Sequence, residues 1–174
     1  MNFLLIVILR SVQMIFGIIV LALSVQLARG QVIGNAPSTT IYDAFAGGIN
    51  MIAVVVCMTA LSLSALSGTV SYAADGIAAL AALAGGIATA VKLKGVSCGN
   101  IYEMFFNNLI NGGLYKADGE QNSAITESQM TTRCNMNKAD SAFLFLAFVM
   151  STGLLVLSFT NQKRVGSAGG ATYV

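Results

Sequence analysis

Three aspartates stand out among the few residues of this chain that could do chemistry. Asp43, Asp75 and Asp140 each lie at the start of a long apolar run. A carboxylate in that position caps free N–H groups at a helix N-terminus and favours the helix macrodipole. An acid inside a membrane would instead be a candidate functional group, and Asp75 is the strongest of the three because it could lie below the interface. Both interpretations stay open.

No catalytic constellation accompanies these acids in the sequence. The chain contains no histidine, which excludes Ser-His and Cys-His nucleophiles and His-based metal sites. It has no C-x-x-C motif and no Gly-rich loop leading to a Lys-Ser/Thr pair, which are the patterns of thiol oxidoreductases and phosphate-binding loops. We therefore expect a protein that is not an enzyme and that has no cofactor, no metal site and no nucleic-acid partner.

The composition indicates an integral membrane protein. Of 174 residues, 56% are hydrophobic and 9% are charged, where a soluble domain has about 25% charged residues. Four apolar runs are long enough to cross a bilayer as helices, since backbone polar groups cannot stay unpaired in lipid. We predict an all-α fold, a four-transmembrane-helix antiparallel bundle in residues 1–160. Its spans are 3–28, 44–66, 72–91 and 139–160, with an extracellular loop at 92–138 and a flexible cytoplasmic tail at 161–174.

Polar residues inside the spans are few. Arg10 and Gln13 lie one helical turn apart, and we expect Arg10 to anchor its helix by reaching toward cytoplasmic headgroups. Gln13 and Asn50 are expected to form interhelical hydrogen bonds worth about 0.6 kcal/mol each. A small channel or transporter is the alternative function, but it would need a continuous polar stripe through the spans, which the sequence does not show.

The third run, DGIAALAALAGGIATAV, consists mostly of alanine and glycine. Small residues let helices approach closely in lipid, where no hydrophobic drive brings them together. Two stripes at helical spacing predict two tightly packed neighbours, either both within the bundle or one in a second protomer, and also a groove for a lipid chain. We assign a packing and lipid interface to this run: Asp75, Gly76, Ala79, Ala82, Gly85 and Gly86.

Inside the long loop, residues 100–113 predict an amphipathic helix. Asn100 and Glu103 have the spacing of a capping box, and a glycine stands where the helix would stop. Tyr102, Phe105 and Phe106 fall on the apolar face, which suits a helix lying flat in the membrane interface. The alternative is a helix that covers the end of the bundle.

The cysteines bear on topology. Cys57 lies within a span, where a thiol is a small apolar filler. A bond between Cys98 and Cys134 would close a loop of about 36 residues, stabilise the fold by about 3–4 kcal/mol, and place the long loop outside the cytoplasm. Two free thiols are the alternative. Counting basic residues argues the other way, because most lie on the long-loop side.

The chain resembles fungal MARVEL-domain proteins, most closely the non-classical export protein type of plasma-membrane furrows (eisosomes). The resemblance rests on the four-span layout, the short second loop, Arg10-x-x-Gln13, Asp75, and Cys98 with Thr-Arg133-Cys134. It implies a plasma-membrane protein with both termini cytoplasmic that organises membrane microdomains and responds to sphingolipid or membrane tension. We therefore expect a self-associating, lipid-binding organiser. Its expected partners are membrane lipids such as a sterol or sphingolipid, further copies of itself, and other microdomain proteins.

Overall fold

The computed structural model describes residues 3–62, 69–113 and 125–169. All regular secondary structure in these ranges is helical, as predicted. The elements are α1 (Phe3–Arg29), α2 (Ser38–Ser62), α3 (Thr69–Lys92), α4 (Ile101–Phe105) and α5 (Glu127–Gly169). Four of them, all except α4, are long and apolar enough to cross a membrane. The prediction of an all-α protein with four membrane-capable helices is confirmed.

The four long helices form a square arrangement. α1 packs against α2 and α5, and α3 packs against the same two helices. Within the described residues α1 and α3 therefore lie on a diagonal of the bundle. α2 and α3 are antiparallel, because Cys57 lies beside Ser71 near one end of the pair while Asp43 meets Thr89 near the other. The loop that the predicted spans leave between them, 67–71, lies partly outside the described ranges, and residues 69–71 belong to α3.

Three of the helices begin earlier than the apolar runs that predict them. As a result Asp43, Asp75 and Asp140 lie inside α2, α3 and α5, well after the first turn. The prediction that these acids cap helix N-termini is wrong, since the polar residues before each apolar run continue the helix. At its other end α5 extends to Gly169, so residues 161–169 of the predicted flexible tail are helical.

A layer of small and aliphatic side chains fills the middle of the bundle. We call this the apolar layer; four of its members, one from each long helix, have no solvent exposure: Val20, Ala46, Ala82 and Leu144. Along every helix the apolar layer lies between polar residues on either side. It therefore divides the buried polar side chains of the bundle into two separate groups.

A second apolar cluster lies under the long loop. Leu109 and Ile110 are buried there beside Met104, Met130 and the disulfide-bonded Cys134. The predicted helix over 100–113 is correspondingly too long, because α4 ends at Phe105 and the following residues form turns that direct the two aliphatic side chains inward.

The predicted capping box of α4 is only partly present. The Asn100 side chain accepts a hydrogen bond from the backbone N–H of Tyr102 (3.2 Å), while Glu103 accepts one from the backbone of Ser97 (2.7 Å).

Candidate functional site

The first polar group of the bundle surrounds a salt bridge between α1 and α3. We call it the Arg10 cluster: Arg10, Gln13, Asn50, Asp75 and Ser151. One guanidinium nitrogen of Arg10 lies 2.6 Å from the Asp75 carboxylate and another donates to Gln13 at 2.9 Å. The Arg10 side chain is 3% exposed and Asp75 is fully buried. The expectation that Arg10 reaches toward headgroups is therefore wrong; it points across the bundle instead.

The amides of the Arg10 cluster connect three helices. Gln13 donates to Ser151 of α5 (2.9 Å) and, at the limit of hydrogen-bond length, to Asn50 of α2 (3.5 Å), and the Ser151 hydroxyl donates to Asn50 at 3.3 Å. The prediction that Gln13 and Asn50 form interhelical hydrogen bonds is confirmed. Cys57 lies beside Asp75 (3.9 Å), so this thiol adjoins the cluster as well as filling space.

The second polar group lies beyond the apolar layer, nearer the long loop. We call it the Asp43 cluster: Ser24, Asp43, Thr89 and Asp140. The Thr89 hydroxyl donates to Asp43, and the Ser24 hydroxyl donates to Asp140 at 2.8 Å. Both carboxylates are at most 2% exposed, and one oxygen of each has no hydrogen-bond partner. Within the described ranges, no three acidic or thiol side chains come together to hold a metal ion.

The small residues of α3 are used inside the bundle. A Cβ atom added to Gly85 would lie 2.6 Å from a carboxylate oxygen of Asp43, and one added to Gly86 would lie 3.3 Å from the ring of Phe145. Ala79 and Ala82 are buried as well, and Gly76 faces Leu155 of α5.

The glycines assigned to this interface, Gly76, Gly85 and Gly86, therefore face α2 or α5 of the same chain. The groove for a lipid chain that we expected beside residues 79–86 is occupied by these neighbouring helices, because Asp43 and Phe145 fill the space that the glycines leave.

The large side chains of α3 lie on its opposite face. Ile77, Leu80, Ile87 and Val91 recur at helical spacing and are 48–69% exposed. Large aliphatic residues on the outside and small ones on the inside are the arrangement expected of a helix that packs closely on one face and meets hydrocarbon on the other.

The long loop is tied to the bundle at two points. Cys98 and Cys134 form a disulfide with their Cα atoms 5.6 Å apart. Arg133, the neighbouring residue, donates to the carbonyl oxygens of Leu27 (3.1 Å) and Ile110 (3.0 Å). A cation that binds the last carbonyls of α1 also interacts favourably with the negative end of its dipole.

Our sequence reasoning missed this role of Arg133. The sequence offered one signal for this role, a basic residue next to a cysteine of the proposed disulfide. It could not show which carbonyl groups Arg133 binds, because they come from distant parts of the chain.

The aromatic residues of the loop divide between surface and interior. Tyr102 and Phe106 are 72% and 52% exposed, with their rings 4.8 Å apart, whereas Phe105 packs against the buried cluster under the loop. Two of the three aromatics that we assigned to the membrane interface are thus available to contact it.

Comparison with known proteins agrees with this architecture. No curated protein and no solved structure matches the chain. One family model does, that of the MARVEL membrane-associating domain, over residues 3–157. The match covers α1 to α4, α5 as far as residue 157, both polar clusters and the two cysteines of the disulfide. The chain belongs to the MARVEL family of membrane-associating domains.

Proposed function

We propose that this protein is a non-enzymatic organiser of plasma-membrane microdomains, which self-associates, binds membrane lipids and works in membrane furrows of the eisosome type. A sterol or a sphingolipid is the lipid class that the resemblance suggests, with membrane tension as a second input. Membership of a membrane-associating domain family supports the general role. The structural features below support the more specific one.

The observation that carries the proposal is the separation of the two polar clusters. Val20, Ala46, Ala82 and Leu144 are fully buried between the Arg10 cluster and the Asp43 cluster. An ion or a polar solute that followed the bundle axis would have to cross this close-packed apolar layer, where it could not be hydrated. The polar side chains are bonded to one another across helices, so they favour a structural role over the alternative of a channel or transporter.

The outer surface is suited to lipid. Large apolar side chains are more than half exposed on every long helix, for example Ile8 on α1, Ile52 on α2, Leu80 on α3 and Val149 on α5. In water such surfaces would aggregate, whereas in a bilayer they are solvated by acyl chains. These side chains are therefore available to contact acyl chains and neighbouring membrane proteins.

The disulfide supports a topology with the long loop outside the cytoplasm. Disulfides persist in oxidising compartments, and the bond between Cys98 and Cys134 holds the loop that joins α3 to α5. Four spans then place both termini in the cytoplasm. In that orientation the exposed rings of Tyr102 and Phe106 lie at the level of outer-leaflet headgroups, where aromatic side chains are enriched.

Reconstitution tests the function directly. Two populations of the full chain, labelled with donor and acceptor dyes, are mixed in liposomes at high dilution, and energy transfer is measured with and without sterol and sphingolipid. We expect transfer above the level of random proximity, together with lipid retained in native mass spectrometry. A monomeric protein that retains no lipid and conducts ions across the liposome membrane would instead establish the channel alternative.

A further inference from the structure

A pocket opens between the end of α1 and the start of α5. Its volume is about 350 Å³, which lies in the range typical of a site for a small ligand. Two of its lining residues are cationic, Arg29 from α1 and Arg133 from α5. None of its described lining residues is acidic, and the other polar ones carry amides or hydroxyls: Gln26, Gln31, Ser128, Gln129 and Thr132. This composition is typical of a site for an anion.

Arg133 brings a buried positive charge to this pocket. It is 8% exposed and makes four hydrogen bonds, all to uncharged acceptors: Leu27, Gln31, Leu109 and Ile110. Within the described ranges no carboxylate pairs with it. The C-terminal end of α1, which Arg133 also contacts, supplies only about half of a negative charge. Part of a buried charge is thus left without compensation, which is costly unless an anion joins it.

The guanidinium of Arg133 reaches the pocket wall because Gly30 has no side chain. Gly30 is exposed and lines the pocket, and a Cβ added to it would lie 2.6 Å from one terminal nitrogen of Arg133. That nitrogen carries two protons and, among the described residues, donates only to Leu27. Its second N–H therefore lies beneath an exposed glycine with no protein acceptor.

Arg29 adds a second charge at the rim of the pocket. Its side chain is exposed and forms no ion pair in the parts of the chain that the structure describes. Ser128 and Thr132, on α5, are exposed residues with hydroxyl groups. Glu127 adjoins Ser128 in sequence but is not a lining residue. Two guanidinium groups and nearby hydroxyls suit a phosphate, whose oxygens accept several charged hydrogen bonds at once.

The depth of the pocket favours a lipid over a soluble anion. The apolar sequence of α1 ends just before Arg29, so the pocket lies where hydrocarbon gives way to headgroups. Met136, which is half-buried, lines the pocket one turn of α5 deeper than Thr132. A lipid can contact both the charged residues and this apolar side chain, whereas a free phosphate can use only the first.

We infer that this pocket binds the phosphate of an anionic outer-leaflet lipid between Arg29 and Arg133. A headgroup of net negative charge is required, because a zwitterionic one brings its own cation beside the two arginines. The inference rests on the proposed function in that the ligand is a membrane lipid and the loop faces outward. It goes further in naming the headgroup chemistry and the residues that bind it.

Native mass spectrometry of the full chain in detergent tests the site. Phosphatidylglycerol or phosphatidylcholine is added in increasing amounts, and the bound lipid is counted. We expect one phosphatidylglycerol to bind about tenfold more tightly than phosphatidylcholine, equivalent to about 1.4 kcal/mol of binding free energy. Arg29→Gln and Thr132→Glu, both at exposed positions, should each abolish this preference. Arg133 is left unchanged, because it also holds the long loop.

Lys94→Gln is the matched control for Arg29→Gln. Lys94 is an exposed basic residue just beyond the end of α3, on the same side of the membrane, and does not line the pocket. It removes the same charge and should leave the lipid preference unchanged. Equal affinity of the parent protein for the two lipids, or equal losses in the two glutamine variants, would overturn the inference.

Two further measurements separate other sources of the anion. Displacement of phosphatidylglycerol by equimolar inorganic phosphate would show that the pocket takes a soluble anion, and would overturn the lipid assignment. Asp118 and Glu120 lie outside the described ranges, and Asp118→Asn with Glu120→Gln should bind like the parent. Tenfold tighter binding by this variant would mean that the chain's own acids occupy the pocket. Energy transfer between copies and retention of co-purified lipid report the proposed function separately.

Discussion

Arg10 of α1 and Asp75 of α3 form a salt bridge across the diagonal of the bundle, between two helices that do not pack against each other in the described residues. Both side chains are almost completely buried. Each adjacent pair of helices has side-chain packing of its own, whereas α1 and α3 are joined through these two charges. The salt bridge is therefore a direct contact between these two helices that constrains their rotation about their axes, in addition to their packing against α2 and α5.

Removing one partner of this pair should be more damaging than removing both. Asp75→Asn leaves the Arg10 guanidinium buried without a countercharge, and the expected cost is about 3–5 kcal/mol of unfolding free energy. The double variant Arg10→Met with Asp75→Leu replaces the pair by apolar groups and should recover most of that loss. Chemical denaturation in detergent micelles measures both variants. Equal destabilisation by the single and double variants would show that the charges themselves contribute little.

Gly85 should tolerate no side chain. A Cβ at this position would lie 2.6 Å from an oxygen of Asp43 and 3.3 Å from Leu144. Gly85→Ala should therefore destabilise the bundle by about 1–3 kcal/mol, although alanine favours a helix more than glycine does. Thermal unfolding in detergent is the measurement.

Gly153→Ala is the control for this substitution, because nothing lies within 4 Å of the added Cβ. It should leave stability unchanged or raise it slightly. A second variant that shortens Asp43 to Ser in the Gly85→Ala background should restore part of the loss, since it removes the carboxylate that the new methyl group meets. Equal melting temperatures for the two alanine variants would contradict the proposed close contact.

The disulfide should be reducible only from outside the cell. A membrane-impermeant reductant followed by an impermeant thiol reagent should modify the partly exposed Cys98 on intact cells, while Cys57, buried inside the bundle, stays unmodified. Replacing both loop cysteines by serine should lower stability by about 3–4 kcal/mol, because the unfolded chain regains the freedom of a long loop. Labelling without prior reduction would mean that the two thiols are free in the membrane.

Arg133 should not be replaceable by lysine. Its planar guanidinium donates to Leu27 and Ile110 from different directions, and a single ammonium group cannot reproduce that geometry. The loss of these charged hydrogen bonds should cost about 1.5–3 kcal/mol and should expose the long loop to protease. Arg29 is an exposed arginine at the end of α1, close to the Leu27 carbonyl that Arg133 binds. Arg29→Lys is expected to change neither the stability nor the protease sensitivity of the loop.

Hydropathy predicted the number of spans and the fold class because each helix in lipid must satisfy its own backbone, a requirement that is local in sequence. The starts of α2, α3 and α5 were predicted less well. Asp43, Asp75 and Asp140 seemed to mark helix ends, but the polar residues that precede them extend the helices outward. Composition marks where the hydrocarbon begins and does not mark where the hydrogen-bonded helix begins.

In the long loop, an apolar stripe predicted one amphipathic helix. The structure ends α4 at Phe105 and buries Leu109 and Ile110 under the disulfide instead. Periodicity alone could not distinguish a stripe that faces the membrane from side chains that fill a small core, because both are apolar at similar spacing. Leu109 and Ile110 are buried because they pack against Cys134 and Met130, which belong to α5 and are distant in the sequence.

By itself the sequence determined four membrane-capable helices, a stripe of small residues on α3 and the cysteines available to close the loop. Only the tertiary structure decided that the stripe is filled by Asp43 and Phe145, and that Arg10 meets Asp75 rather than headgroups. The physical reason is that a partner depends on the rotation of each helix about its own axis. That rotation is set by all contacts of the bundle at once, and no single segment contains it.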